Sequence, residues 1–444
     1  MIRRRVALLM VCCLLICSIS SGYLKVYAEG KDTSKTIKVL FVGNSFTKNH
    51  KLNNIFKGLA QADGVKIKTA RIAVGGYNLK KYASSKTKVG KKLRKKLKKN
   101  WDYVVIQGHS EEFITTYNAH SYKSLSRIIG LVKDSGAQPV LYMTWASTTG
   151  LKYSDRYTEY NLDREEMTQA VSDIYNRLGN EFEVKVAPVG QKMLMCSKMY
   201  PEVPIIVSDN KHPKFAGSYL AACTIYETIF DKSALGIPYY STEEKKVGIG
   251  QKKAVKMQMV ADIRLNVDKK NIYLTPDDKS KIKAEITVSD SNTKYKELYQ
   301  GKDEITYTSL NPDIVKVDTD GSIEAVNPGR AYIRVSTTSG LSSITTVEVK
   351  CPEEFQLEIS TLDSVYGDSY KDNLISWTSV SSGDKSEVYR SMYNGNHFKK
   401  IAETNKNYLL DKGLLRKKKY LYMIKKYSLI DDEYVLTGES LIGY

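Results

Sequence analysis

Thr36-Ile37-Lys38-Val39-Leu40-Phe41-Val42-Gly43-Asn44-Ser45 is the stretch that decides the fold. The run over 36–42 is nearly continuously apolar and does not alternate. A strand buried on both faces of a parallel sheet reads this way. Gly43 permits a tight exit from it. Leu52, Ile55, Phe56, Leu59 and Ala60 then recur at helical spacing, so the stretch reads strand, turn, helix. Ser45 is expected at the start of that helix, where backbone N–H groups and the positive dipole end favour a developing oxyanion.

Outward from this unit the same alternation continues to residue 262. Strands are expected over 65–72, 103–106, 139–144 and 184–189. Helices are marked by Leu125, Ile128, Ile129 and Val132, by Met167, Val171, Ile174, Tyr175 and Leu178, and by Ala216, Tyr219, Leu220, Cys223 and Phe230. Interleaved strands and helices imply an α/β fold with a parallel sheet covered on both faces. Ligands of such sheets bind beyond the carboxyl ends of the strands, which is where Ser45 falls.

Four short motifs follow strands in this region. Gly43-Asn44-Ser45 offers a hydroxyl. Gly75-Gly76 follows the second strand and could bring a backbone N–H to a substrate oxygen. Gln107-Gly108-His109-Ser110 follows the third, with a side-chain amide able to donate to an oxyanion. Asp209-Asn210-Lys211-His212 lies near the end of the region. A serine needs a base to become a nucleophile, and a histidine needs a carboxylate to fix its tautomer. Ser45, His212 and Asp209 supply all three. Each motif alone is equally an ordinary turn; their order, each after a strand, is what makes the set specific. Tyr142, Trp145, Tyr153 and Tyr157 lie on or after the fourth strand. They are either core or a rim that stacks on sugars, and Trp145 is carried forward as a substrate contact with Asn44, Gly75, His109 and Ser110. His50, His120 and His397 have no such context and read as surface residues.

Over about 225 residues these motifs resemble the SGNH, or GDSL-type, hydrolases. The resemblance implies a flavodoxin-like three-layer α/β/α sandwich. Ser45 is then the nucleophile, Gly76 an oxyanion donor (Gly75 in the alternative register), and Asp209 with His212 the Asp-x-x-His pair. Ser45 contributes its own N–H to the oxyanion. The third block departs from the family's Gly-x-Asn-Asp. Gln107-Gly108-His109-Ser110 is closer to the Gln-Gly-Glu-Ser of carbohydrate-esterase branches, which makes Gln107 the expected third donor and Ser110 the next choice. The implied activity is hydrolysis of small acyl esters, acetate above all, on polysaccharide, with no metal or organic cofactor. The competing reading is a surface adhesion or wall-binding protein with a vestigial hydrolase domain.

Near residue 263 the texture changes to short alternating strands and turns. The segment 263–351, with 308–318 and 320–331 as its most telling stretches, resembles a bacterial Ig-like (group 2) domain. The segment 352–444, with expected strands over 374–377, 386–390 and 419–423, resembles a fibronectin type III domain. The hydrolase-like part accordingly spans 29–262.

Residues 1–28 read as a signal peptide. Arg3-Arg4-Arg5 form a basic start, 6–19 a mostly apolar core, and Val26-Tyr27-Ala28 a small-residue cleavage site. The apolar run is short for a membrane span, although retention as an anchor stays open. Ile16 before Cys17 does not suit lipoprotein processing. A secreted chain, free or attached to the cell surface, is expected, with no span in its mature form. Cys12, Cys13 and Cys17 leave with this segment. Cys196, Cys223 and Cys351 are too widely spaced for a zinc site or a disulfide framework.

The formal charge is +19. Such a field favours anionic surfaces, or simply keeps the chain soluble. For an exported chain, wall polymers or acidic glycans fit better than nucleic acid. The 80–99 segment, with Leu93 and Leu97 four apart among many lysines, reads as a crossover helix with a solvated cationic outer face; the alternative is an electrostatic contact for an anionic wall polymer.

Overall fold

The computed structural model describes residues 35–115, 120–154, 159–244, 246–327, 329–349, 357–378, 384–392, 398–430 and 433–443. The signal-peptide reading, Tyr157, Cys351 and His397 lie outside them. Among the described residues no helix is long and apolar enough to cross a membrane.

The amino-terminal part is built on a five-stranded sheet in the order β2-β1-β3-β4-β7. Its strands are β1 (Ile37–Gly43), β2 (Ile67–Ala73), β3 (Tyr103–Gln107), β4 (Gln138–Tyr142) and β7 (Lys185–Ala187), all paired in parallel. Each crossover carries helix. α1 (Ser45–Lys48) and α2 (Leu52–Ala62) follow β1. α3 (Leu79–Ala83) and α4 (Lys88–Leu97) follow β2. α5 (Glu112–Thr115) and α6 (Tyr122–Asp134) follow β3. A small hairpin, β5 (Leu151–Ser154) with β6 (Glu159–Leu162), and α7 (Arg164–Glu181) follow β4. α8 (Val189–Met199), α9 (Phe215–Phe230) and α10 (Gln251–Asp262) come last.

The unbroken apolar run of β1 is explained by two cores. Val39 and Phe41 face one, with α2, α8, α9 and α10. Leu40 and Val42 face the other, with α3, α4, α6 and α7. All four side chains are fully buried, so the sheet is sandwiched between helix layers. The chain leaves β1 towards β2 on one side and returns to β3 on the other. This places the topological switch point, where open α/β sheets bind ligands, at the carboxyl ends of β1 and β3.

Two expectations are corrected here. Ser45 does not begin the long helix marked by Leu52 to Ala60. It begins the separate four-residue α1, and the chain kinks at His50 and Lys51, both at left-handed φ (50° and 53°), before α2 starts. The expected strand over 184–189 is only three residues long, and Val189 already belongs to α8.

After α10 the chain is almost entirely β. The first stretch comprises β8 (Arg264–Val267), β9 (Asn271–Leu274), β10 (Lys279–Lys281), β11 (Ala284–Thr287), β12 (Ile305–Ser309), β13 (Val315–Val317), β14 (Ser322–Ala325), β15 (Gly329–Thr337) and β16 (Ser342–Val349). It forms small sheets in the orders β10-β14-β13, β11-β8 and β12-β15-β16-β9. The sheets share a core of Ile272, Ile282, Ile323, Ile333, Val335 and Val347. The second stretch comprises β17 (Leu357–Asp363), β18 (Tyr370–Trp377), β19 (Lys385–Met392), β20 (Lys399–Thr404), β21 (Tyr408–Leu415), β22 (Tyr420–Ile430) and β23 (Glu433–Gly443). It forms sheets in the orders β17-β18-β21 and β20-β19-β22-β23 around Ile375, Trp377, Val388, Tyr422 and Ile424.

The first β stretch is seated on α7 and α8 by polar contacts. Asn176 Nδ2 and Gln191 Nε2 both donate to the Ser342 carbonyl, at 2.9 and 2.8 Å, and Asn180 Nδ2 donates to Ile344 O at 2.8 Å. The Arg334 Nε–H reaches both Asp173 oxygens at 3.1 Å. Asp173 is 7% exposed, while the Arg334 side chain remains 25% exposed, so the pair is only partly withdrawn from water.

Candidate active site

Ser45, Asp209 and His212 meet at the carboxyl end of β1. His212 Nε2 lies 2.9 Å from Ser45 Oγ, and His212 Nδ1 lies 2.6 Å from Asp209 Oδ2. The residues come from loops 164 positions apart, and the local folding of each loop explains the meeting.

Asn44 caps α1, its Oδ1 accepting from Phe46 N at 3.1 Å. The capping bond fixes the turn that carries Ser45. Asn44 is almost fully buried, and its Nδ2 makes no hydrogen bond among the described residues. Behind the turn, Gln107 Oε1 accepts from Asn44 N at 2.8 Å and from Thr47 Oγ1 at 2.9 Å. Gly43 is required for this: a Cβ there would stand 2.3 Å from Gln107 Oε1 and 2.4 Å from Thr47 Oγ1.

The other loop is folded by Asp209. Its Oδ1 accepts from the N–H groups of Lys211 (2.9 Å) and His212 (2.8 Å). Asn210 takes a left-handed φ of 65° to allow the turn. These two backbone donors, then the His212 side chain, hold the Asp209 carboxyl down at about 2. The loop is tied to the sheet by Trp145, whose Nε1–H donates to Lys211 O at 2.8 Å. Trp145 stacks on Phe46 (4.3 Å between ring centroids), and Phe46 meets His212 edge-on at 5.7 Å.

Gly75 and Gly76 are exposed beside this site. Val74 N donates to Gly43 O at 3.2 Å, and Tyr77 N donates to Val74 O at 3.3 Å. Gly76 has a φ of +72°, so the turn is of the kind that needs glycine at its third position. The expected backbone donor therefore sits next to the exit of β1.

Two sequence-based assignments are not supported by this placement. The Gln107 amide nitrogen donates to Gly108 O, and its oxygen is taken up by Asn44 N and Thr47 Oγ1. The side chain braces the Ser45 turn instead of turning a donor outward. Trp145 is 2% exposed; it is an internal strut and not a stacking rim. Tyr142 is likewise core, and Tyr153 packs against Tyr160 in the hairpin. Ser110 is buried in the loop before α5. His50, though exposed, is bonded to Ser218 Oγ at 2.9 Å.

His109 comes within electrostatic range of His212 and Lys211. Burial pushes its imidazole pKa down; Glu111 opposes this, while Lys211 and His212 add to it. Lys211 Nζ bridges to Glu111 at 3.2 Å.

Sequence reading missed Glu112. This 7%-exposed carboxylate accepts from His109 N (3.0 Å) and from Leu79 N (3.0 Å), joining the loop after β3 to the start of α3. Burial raises its pKa against the lowering effect of those donors. Its only signal was an acid two positions after Ser110. It also missed Tyr82, whose hydroxyl donates to Gly43 O.

No family model matches this chain, and no curated protein matches it. Among solved structures it is similar to a DUF4886 family protein from Bacteroides uniformis, at 22% identity over 51% of this chain and 93% of that one, with a TM-score of 0.41. It is similar to a candidate SGNH hydrolase from Slackia heliotrinireducens, at 24% identity over 44% of this chain and all of that one, with a TM-score of 0.35. A Bacillus subtilis protein follows, at 17% identity over 46% and 58% of the two chains, with a TM-score of 0.34. At these scores the likenesses add no weight to the functional argument, which stands on the site itself.

Proposed function

We propose that this chain is a serine ester hydrolase acting on small acyl esters, acetate first, carried by a polysaccharide. The supporting observation is the continuous chain of contacts from Ser45 Oγ through His212 to Asp209, at 2.9 and 2.6 Å. Nucleophile, base and orienting carboxylate are each within hydrogen-bond reach of the next.

In this reading His212 takes the Ser45 proton as Oγ attacks the ester carbonyl. Asp209 holds the imidazole with Nδ1 protonated and Nε2 free, and stabilises the imidazolium that forms. The alcohol leaves with the proton from His212. Water then attacks the acyl-enzyme, with His212 again as base, and the acid is released. The oxyanion is held by the N–H groups of Ser45 and Gly76. Asn44 Nδ2 takes the third place expected of Gln107, because the Gln107 amide is engaged inside the loop.

Polysaccharide as the carrier rests on the expected export and on the two β stretches, read as Ig-like and fibronectin-like modules. The test is acetate release from acetylated xylan and from p-nitrophenyl acetate, with Ser45→Ala as the comparison. Activity on both, lost in the variant, is expected. Activity of folded wild type on neither, or its survival in Ser45→Ala, would overturn the reading.

A further inference from the structure

Between Asp63 and Asp102 the chain has no acidic residue and 14 lysines and arginines. The remaining 406 residues carry 54 cations against 49 anions. Most of the net charge is therefore confined to one crossover, the one that leaves β2 beside the Gly75-Gly76 turn and runs through α3 and α4.

The structure sorts these charges. The two arginines, Arg71 on β2 and Arg94 on α4, are half-buried and engaged with backbone carbonyls. Arg94 donates to Gly90 O and Ala83 O, and Arg71 to Lys48 O. The lysines are turned out: Lys80, Lys81, Lys86, Lys88, Lys91, Lys92, Lys95, Lys98 and Lys99 are all exposed. None of them has a carboxylate partner among the described residues. On α4, Gly90, Leu93 and Leu97 face the core. Lys88, Lys91, Lys92 and Lys95, with Lys98 at the C-cap, line the opposite face, each three or four residues from another. At 1.5 Å per residue this row is about 15 Å long.

The row acts against the helix that bears it. Like charges three and four apart repel. The first turn of α4, where acids are favoured, has none and starts with Lys88. Lys95 and Lys96 in the last turn are favoured by the dipole, but among the described residues no carboxylate pairs with the exposed row; an anionic partner would relieve that repulsion.

We propose that the α3–α4 flank binds a linear acidic polysaccharide and delivers it to the Ser45 site. The delivery half rests on the esterase reading; the binding half does not. Exposed ammonium groups act as mobile point charges, which suits a chain of spaced carboxylates better than bidentate recognition of one group. Of the aromatic residues of this flank, Tyr82 and Trp101 are buried, and only Tyr77, beside the Gly75-Gly76 turn, is half-buried. It thus lacks the stacking platforms that single-stranded nucleic acid uses. α3 begins at Leu79, whose N–H is held by the Glu112 carboxylate that also holds His109. The cationic surface is in this way joined to the loops around Ser45.

The test uses the full chain carrying Ser45→Ala and affinity electrophoresis in polygalacturonate, neutral xylan or single-stranded DNA. Retardation by polygalacturonate, reversed by salt and absent with xylan, is expected. Replacing Lys88, Lys91, Lys92, Lys95, Lys98 and Lys99 by Gln is expected to weaken it at least about tenfold. Replacing Lys283, Lys302, Lys316, Lys406, Lys412 and Lys417, which removes the same charge from the β stretches, is expected to leave it unchanged. Equal loss in both variants, no loss in the first, or tighter binding of DNA than of polygalacturonate would overturn the proposal. Should the first variant not fold, lysine acetylation of the Ser45→Ala chain decides. Protection of 88–99 by polygalacturonate supports the site, and uniform labelling overturns it. Binding without ester hydrolysis by wild type would sink the esterase reading alone; hydrolysis without binding would sink the docking alone.

Discussion

The indole N–H of Trp145 donates to the carbonyl of Lys211 at 2.8 Å, so the segment after β4 holds the loop that carries His212. Trp145 also stacks on Phe46, the residue after Ser45. One buried ring thereby fixes the distance between both halves of the candidate site. Trp145→Phe keeps the stacking and deletes the donor. It is expected to lower kcat about 10- to 100-fold, since small misplacements of reacting groups are costly. The loss in stability should be about 1 kcal/mol, the worth of one hydrogen bond. Steady-state rates and thermal melts on the same sample check this; unchanged kcat would remove Trp145 from the positioning of His212.

Asn44 has two roles that can be separated. Its Oδ1 caps α1, and its Nδ2 is the proposed oxyanion donor. Asn44→Ser keeps a good capping oxygen and removes the amide donor. A fall in kcat of about 100-fold is expected, with the melting temperature nearly unchanged. A variant with normal kcat would send the search for the third donor elsewhere.

A general base acts only when unprotonated, so activity is expected to fall as pH is lowered. Asp209 does not join that titration. Its carboxyl is held down at about 2, so its interaction is present above the ordinary aspartate value and is lost only as pH falls through about 2. The acid limb of kcat/KM should therefore follow one proton, about tenfold per pH unit. A two-proton limb above pH ~3 would show that the Asp209 contacts are not kept in solution.

The Arg334–Asp173 pair is expected to hold the first β stretch against α7. Removing the Asp173 charge leaves the partly exposed Arg334 without its partner, at a cost of about 2 kcal/mol, the worth of charged hydrogen bonds. Asp173→Asn should split a joint unfolding transition into two in calorimetry. A single unshifted transition would mean that the Ser342 and Ile344 contacts suffice.

The frame of the fold was legible in the sequence because buried parallel strands leave a strong mark. The apolar runs behind β1, β3 and β4 could hardly be anything else. The polar residue just past β1 gave the Ser45 candidate, whereas Asp209 and His212 lie in the loop between α8 and α9, after no strand, and were found by their Asp-x-x-His spacing alone. What was not legible was direction. An amide or indole after a strand has the same one-letter code whether it faces a ligand, as expected of Gln107 and Trp145, or a backbone group some 60 residues away, as it does here. α8 was missed for another reason. It is buried almost all round, from Val189 to Cys196, so it lacks the polar face that makes helical periodicity visible. The kink at His50 and Lys51 depends on left-handed backbone at residues other than glycine, which composition does not announce.

The seating of the first β stretch on α7 has a mechanical consequence. The outer side of α7 grips that stretch through Asp173, Asn176 and Asn180, while its inner side presses Tyr175 against Phe113 (5.3 Å between ring centroids) and beneath Gly108. A pull applied to the downstream β stretches would be transmitted along this helix as shear and reach the floor of the loop carrying Gln107 and His109. If the carboxyl-terminal end is ever tethered, tension in the tether and the shape of the site become one variable.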